Sequence, residues 1–174
     1  MELLAIHNSF GLVQKWEPPV GSSYKINFDA TVFAEINASR VGVIVQNDKG
    51  EAMAALSARG PPVQDSEEAE VLACRRAMEF MVEVGFTELV LEGDNSTVMK
   101  SINSPQSNMS RLGHVYEDIK CIVASLRRLE VSFVKRSANI VAYALAKYAR
   151  QIDEEVVWLK EDPLLQLKLC TVTL

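Results

Sequence analysis

Three carboxylates stand where chemistry is easiest to build. Asp29 lies in a strand-like run, Lys25–Thr31 (KINFDAT), although Asp is depleted in strands. Glu70 follows Glu68 and Ala69 at the start of an apolar-periodic segment, and Asp94 sits in Glu92–Asn95 (EGDN), between a short apolar run and a helix start. Singly, each has an ordinary explanation: an edge-strand charge, a helix-dipole partner and a helix cap. Together they fall on three elements that an open α/β sheet brings to one end, where strand ends and helix starts converge. Converging carboxylates repel one another unless a cation neutralises them. Hard oxygen donors select Mg²⁺ or Mn²⁺ over zinc. Two such ions about 3.5–4 Å apart activate a water and stabilise the leaving oxygen in phosphodiester hydrolysis.

Other chemistries find little support. The two histidines, His7 and His114, accompany no GxSxG nucleophile motif. GxxxxGK[ST] and GxGxxG phosphate cradles are absent. Cys74, Cys121 and Cys170 are odd in number and lie far apart, with no CxxC spacing, which reads as reduced thiols rather than a disulfide framework or a zinc site.

The elements that must position the acids are legible from periodicity. Tyr24, Ile26 and Phe28 alternate with Lys25, Asn27 and Asp29, predicting a strand with Asp29 on the face opposite the Tyr/Ile/Phe set. Val41–Val45 and Ala52–Ser57 read as two further strands around the turn signal Asn47–Gly50. A helix capped by Asp65 or Ser66 runs to Gly85, with Ala69, Leu72, Ala73, Ala77, Phe80, Met81 and Val84 on its apolar side. Then come a strand at Thr87–Glu92, a helix at Ser96–Ile102, a polar loop at 103–110 and a helix at Leu112–Leu129. A strand at Val131–Val134 and a helix at Ala138–Arg150 complete the order. The order βββαβααβα predicts an α/β fold: a mixed five-stranded sheet with helices on its faces. Residues 1–23 read as a lead-in or linker, 24–151 as the domain, and 152–174 as a tail. That tail holds Trp158 and a Leu-rich segment, a docking arm or partner surface.

The chain of 174 residues has 18 Lys+Arg against 23 Asp+Glu, a net charge of −5. Its length suits one domain that needs no staple. The negative balance argues against a broad polyanion binder, because phosphate binding runs on Lys and Arg. No apolar run reaches the roughly 18–20 residues of a membrane span, and no secretory leader is evident. The expectation is a soluble intracellular protein, nuclear or cytoplasmic, without a membrane partner.

These residues carry a family resemblance. Lys25–Thr31 is followed by Gly42–Val45 (GVIV), Asn47–Gly50 (NDKG), Glu68–Glu70, Glu92–Asn95, Val134–Asn139 (VKRSAN) and Ala142–Lys147 (AYALAK). Each motif is weak alone; in this order and spacing, from Trp16 to Trp158, they resemble the type 1 ribonuclease H domain. The likeness is strongest to the reverse transcriptase-like ribonuclease H domains of plant non-LTR retrotransposons.

The resemblance implies a metal-dependent endonuclease that hydrolyses the RNA strand of RNA–DNA hybrids, leaving 3′-hydroxyl and 5′-phosphate ends. It implies that Asp29, Glu70 and Asp94 are catalytic and hold two Mg²⁺ or Mn²⁺ ions. Asp29 would bridge the ions, and Glu70 would sit near a 2′-hydroxyl. Asn95, Arg136 and Asn139 become candidate substrate contacts, and a neighbouring reverse transcriptase domain a candidate partner. The family's fourth acid falls at Tyr143 here, in Asn139–Ala146 (NIVAYALA). A neutral phenol is a poor ligand for a hard cation. That departure supports the alternative of a catalytically weak or inactive domain retained for nucleic-acid or protein binding. The loop Lys135–Ala138 also lacks the histidine of bacterial-type members.

Overall fold

In the computed structural model, which describes residues 13–164, the alternating run becomes the central strand β1 (Tyr24–Phe33). It pairs antiparallel with β2 (Ala38–Gln46), and β2 pairs antiparallel with β3 (Ala52–Gly60). Asn47 shapes the β2–β3 turn: its side-chain oxygen accepts from the Lys49 and Glu51 N–H groups. On the other side of β1 lie β4 (Glu88–Gly93) and then β5 (Arg128–Phe133), both parallel. The helices are α1 (Ser66–Val84), α2 (Ser96–Asn103), α3 (Gly113–Val123) and α4 (Ile140–Tyr148).

The two faces of β1 go to different layers. Ile26 and Phe28 join Val43, Leu56, Val71, Met78 and Leu91 in the main core beneath α1, α2 and α3. On the other face, α4 packs with Ala142 and Leu145 against Ile44 and Ala55. α4 comes close because Gly42 lies beneath it: a Cβ there would sit 2.1 Å from the Ala142 carbonyl oxygen.

The described residues form six strands rather than the expected five. Val156–Leu159, placed in the tail by sequence, is β6 and pairs antiparallel with Ala54–Ser57 at the open edge of β3. Trp158 drives this: it is buried beside Ile44, Ala55 and Leu145, and its ring lies 5.9 Å from that of Tyr148. A large aromatic on an edge strand gains more burial there than in solvent. The third helix is also shorter than its periodicity suggests. α3 ends at Val123, and Arg128–Glu130 belong to β5, because the parallel ladder with β4 begins at Glu88 and Arg128. Leu126 and Leu129 still pack on the main core, which is why helical spacing continued to read through them. Among the described residues no helix is long and apolar enough to cross a membrane. His7, Cys170, the start of the lead-in and the Leu-rich end lie outside them.

Candidate active site

β1 outruns β4, and that difference in length makes the site. The β1–β4 ladder last pairs Asn27 with Glu92, whereas β1 continues to Phe33 along β2. Beyond Phe28, one edge of β1 therefore opens into a crevice, and Asp29 stands at it. β4 ends on Gly93, where a Cβ would lie 2.8 Å from Phe28 Cζ and 2.9 Å from Met99 Sδ. Only glycine lets the chain pass so close to Phe28 before Asp94 turns out of the strand. Asn95 then caps α2, its side-chain oxygen accepting from Val98 N–H at 3.1 Å.

Glu70 reaches the crevice from α1. Asp65 caps that helix by accepting from Glu68 N–H at 2.8 Å, and Glu68 accepts from Gln64 N–H at 2.7 Å. The cap satisfies one of the helix's orphan donors, and Glu68 ties down the residue ahead of the cap. Glu70 Oε1 accepts from Ala30 N–H at 3.3 Å, taking a β1 edge donor that β4 leaves unpaired.

Asp29, Glu70 and Asp94 each bring a carboxylate oxygen into one group, all within 4.8 Å of one another. Asp29 is 0% exposed and Glu70 6%. Both Asp29 oxygens and Glu70 Oε2 are buried without a hydrogen-bond partner. Burial, and then the charge of Asp94, push Asp29 up to about 7. Burial, and then the charges of Asp29 and Asp94, push Glu70 up to about 9. Orphaned buried carboxylate oxygens are costly, and a divalent cation is what relieves both the burial and the repulsion. Three hard oxygen donors in one place fit Mg²⁺ or Mn²⁺. Cys74, one turn beyond Glu70 on α1, takes no part: burial and the Glu70 charge hold its thiol protonated.

The family model described as "Reverse transcriptase-like" matches residues 27–149, spanning all three acids. The chain belongs to this reverse transcriptase-like family. Its fold is that of ribonuclease H. Ribonuclease H1 from the halophilic archaeon Halobacterium salinarum superposes with a TM-score of 0.68 at 21% identity, over 75% of this chain and 98% of that one. A compost-metagenome ribonuclease H1, solved with an RNA/DNA hybrid, gives 0.64 at 19% identity over 72% and 95%. The foamy viral protease-reverse transcriptase, also with a hybrid, gives 0.61 at 11% identity, over 83% of this chain and 23% of that one. No curated protein matches the sequence.

The other predicted residues of this family member separate into two groups. Arg136 joins the acids: its Nε donates to Asp94 Oδ2, its Nη2 lies 3.8 Å from Asp29 Oδ1, and its side chain is 55% exposed. Its guanidinium carbon is 4.5 Å from the Tyr143 ring centroid, so Arg136 lies between that ring and Asp94 as a link. Asn139, in contrast, is 1% exposed. It donates to the Phe28 carbonyl at 2.9 Å and accepts from Asn27 at 3.2 Å, so its amide fastens α4 to β1 rather than facing outward. Asn95 is likewise engaged as a cap, although its residue is partly exposed. Glu92, of the same EGDN motif, is buried against Lys25 at 2.7 Å and serves the sheet.

Two contributors escaped the sequence reading. Gln14 lies in the presumed lead-in, yet its Oε1 accepts from Lys135 N–H and its carbonyl from Ser137 Oγ, both at 2.7 Å. It grips the loop on both sides of Arg136. Trp16 donates to Asn27 at 3.0 Å and so meets the Asn27–Asn139 bridge. A polar residue beside an aromatic in a Pro-rich stretch carries no periodic signal. Arg75 and Arg76, a turn beyond Glu70 on α1, pair with Asp118 and with Glu83 and Glu155 respectively.

Proposed function

We propose that the protein hydrolyses the RNA strand of RNA–DNA hybrids, with Asp29, Glu70 and Asp94 as its metal-holding catalytic acids. The observation that carries this reading is the convergence of three carboxylates, two of them buried with orphaned oxygens, in the crevice where β4 ends. Bound Mg²⁺ or Mn²⁺ would supply the activated water and the charge that stabilises the leaving oxygen. Asp29, with neither oxygen hydrogen-bonded, has both available to hold an ion. Glu70 keeps Oε1 on Ala30 N–H and leaves Oε2 for an ion or a 2′-hydroxyl, the group that distinguishes RNA from DNA. Asp94 closes the set from the end of β4. Arg136, exposed on the rim, meets the scissile phosphate region. Asn95 and Asn139 act by positioning α2 and α4.

The relatives solved with RNA/DNA hybrids support this substrate class. The net charge of −5 makes the hybrid affinity modest, salt-sensitive and dependent on metal. A neighbouring reverse transcriptase domain, as in the foamy viral relative, would supply additional grip. A second reading, hybrid binding without cleavage, is favoured by Tyr143 at the fourth acidic position. Incubation with a labelled RNA–DNA hybrid and Mg²⁺ or Mn²⁺, beside Asp29→Asn, decides between them. Cleavage well above the variant's background is expected, and its absence overturns the enzyme reading.

A further inference from the structure

The acid cluster contains its own cation. Arg136 bonds Asp94 through Nε and approaches Asp29 Oδ1 to 3.8 Å with Nη2. The guanidinium is bonded to Asp94 and stands at ion-pair distance from Asp29, while both Asp29 oxygens and Glu70 Oε2 have no hydrogen-bond partner. It is held from below and from both sides. The Tyr143 ring lies 4.5 Å beneath it, and Lys147 Nζ stands 5.1 Å from the same ring. Gln14 fixes the backbone before it, at Lys135, and the side chain after it, at Ser137. Asn139 ties the end of the loop to the Phe28 carbonyl.

We propose that Arg136, seated on the Tyr143 ring, takes the place of one of the two divalent cations, so that this chain holds a single ion between Asp29 and Glu70. The proposal rests on the metal-dependent reading of the site and specifies its ion count. Its physical logic is a paired exchange. A carboxylate at position 143 would add a negative charge and a ligand for a second ion. A phenol ring adds neither, but its face seats a planar guanidinium. The charge that a second ion would bring to Asp94 is then supplied by a fixed side chain. Arginine suits this role because its charge is permanent and its planar group can bond one carboxylate while standing close to a second. A guanidinium fixed beside the remaining site also repels the ion that binds there, which weakens its affinity.

Ions bound per chain, counted by Mn²⁺ electron paramagnetic resonance and by calorimetry with Mg²⁺, test this directly. The wild type is expected to hold one. The double variant Arg136→Ala/Tyr143→Asp is expected to hold two, as the paired-ion arrangement allows. Arg136→Ala alone should tighten the first ion at least about tenfold at low salt, because a neighbouring like charge is gone. Tyr143→Phe keeps the ring and should match the wild type, whereas Tyr143→Leu should shift affinity in the direction of Arg136→Ala. Should the double variant not fold, these single variants decide. Two ions in the wild type, or an Arg136→Ala affinity equal to wild type, overturns the proposal and leaves the nuclease reading standing. No ion in any variant overturns both.

Discussion

Gly42 on β2 stands directly across the ladder from Asp29 on β1. A Cβ at Gly42 would meet Ala142 O at 2.1 Å and Ala146 N at 2.3 Å, both backbone atoms that cannot turn aside. The missing side chain beside β1 is thus what lets α4 lie on the sheet and bring Tyr143 beneath Arg136. Gly42→Ala is expected to force α4 outward and to cost about 3 kcal/mol, the upper part of the overpacking range. Urea unfolding measures this. An unchanged midpoint would show that α4 moves freely over β2.

Asp29→Asn separates stability from catalysis. The substitution preserves shape and removes a buried charge that faces Asp94 and Glu70. Without divalent ions at pH 8, the variant is expected to melt at a higher temperature than the wild type. Its cleavage of an RNA–DNA hybrid should fall at least about a hundredfold, since even outer-shell changes at metal sites cost 10–100-fold. A variant that is both less stable and equally active would remove Asp29 from the site.

The sequence carried the acids and the frame that holds them, because strand alternation around Asp29 and the turn residues at Gly93 and Asn95 are local signals. It did not carry what depends on distant partners. Asn139 looked like a substrate contact, since an amide at a loop end has no local sign of its partner; the partner is a β1 carbonyl, 111 residues away. Val156–Leu159 is too short to declare itself, and only the open edge of β3 makes it a strand. Arg136 was visible as a charge, but its seat on Tyr143 needed the turn at 136–138 to fold one over the other.

The pH dependence of stability has a defined sign. Asp29 rises from 3.8 to about 7 and Glu70 from 4.5 to about 9 on folding. Between these limits the metal-free folded protein holds protons that the unfolded chain releases. Stability therefore falls as pH rises from about 5 to about 9. Melting temperature in chelator should be higher at pH 5.5 than at pH 8.5. Saturating Mg²⁺ should reverse the trend, because ion binding requires the deprotonated acids. Glu70→Gln should flatten the chelator slope; a slope identical to wild type would mean that Glu70 does not titrate in this window.

Trp158 tests whether β6 is integral to the domain. Its indole is 3% exposed against Ile44, Ala55, Ala142 and Leu145, the layer that seats α4. Arg76 on α1 pairs with Glu155 at 2.7 Å, just ahead of β6, so the segment is tied to both faces of the sheet. Truncation of a buried Trp to Ala costs about 3–5 kcal/mol. Trp158→Ala should lower the urea midpoint accordingly, and removal of residues 152–174 should do more, because it also bares the β3 edge to other chains. The truncated protein is therefore expected to aggregate in light scattering while the full chain remains monodisperse. A truncated chain as stable as the full one would place β6 outside the cooperative fold and leave α4 held by β1, β2 and β3.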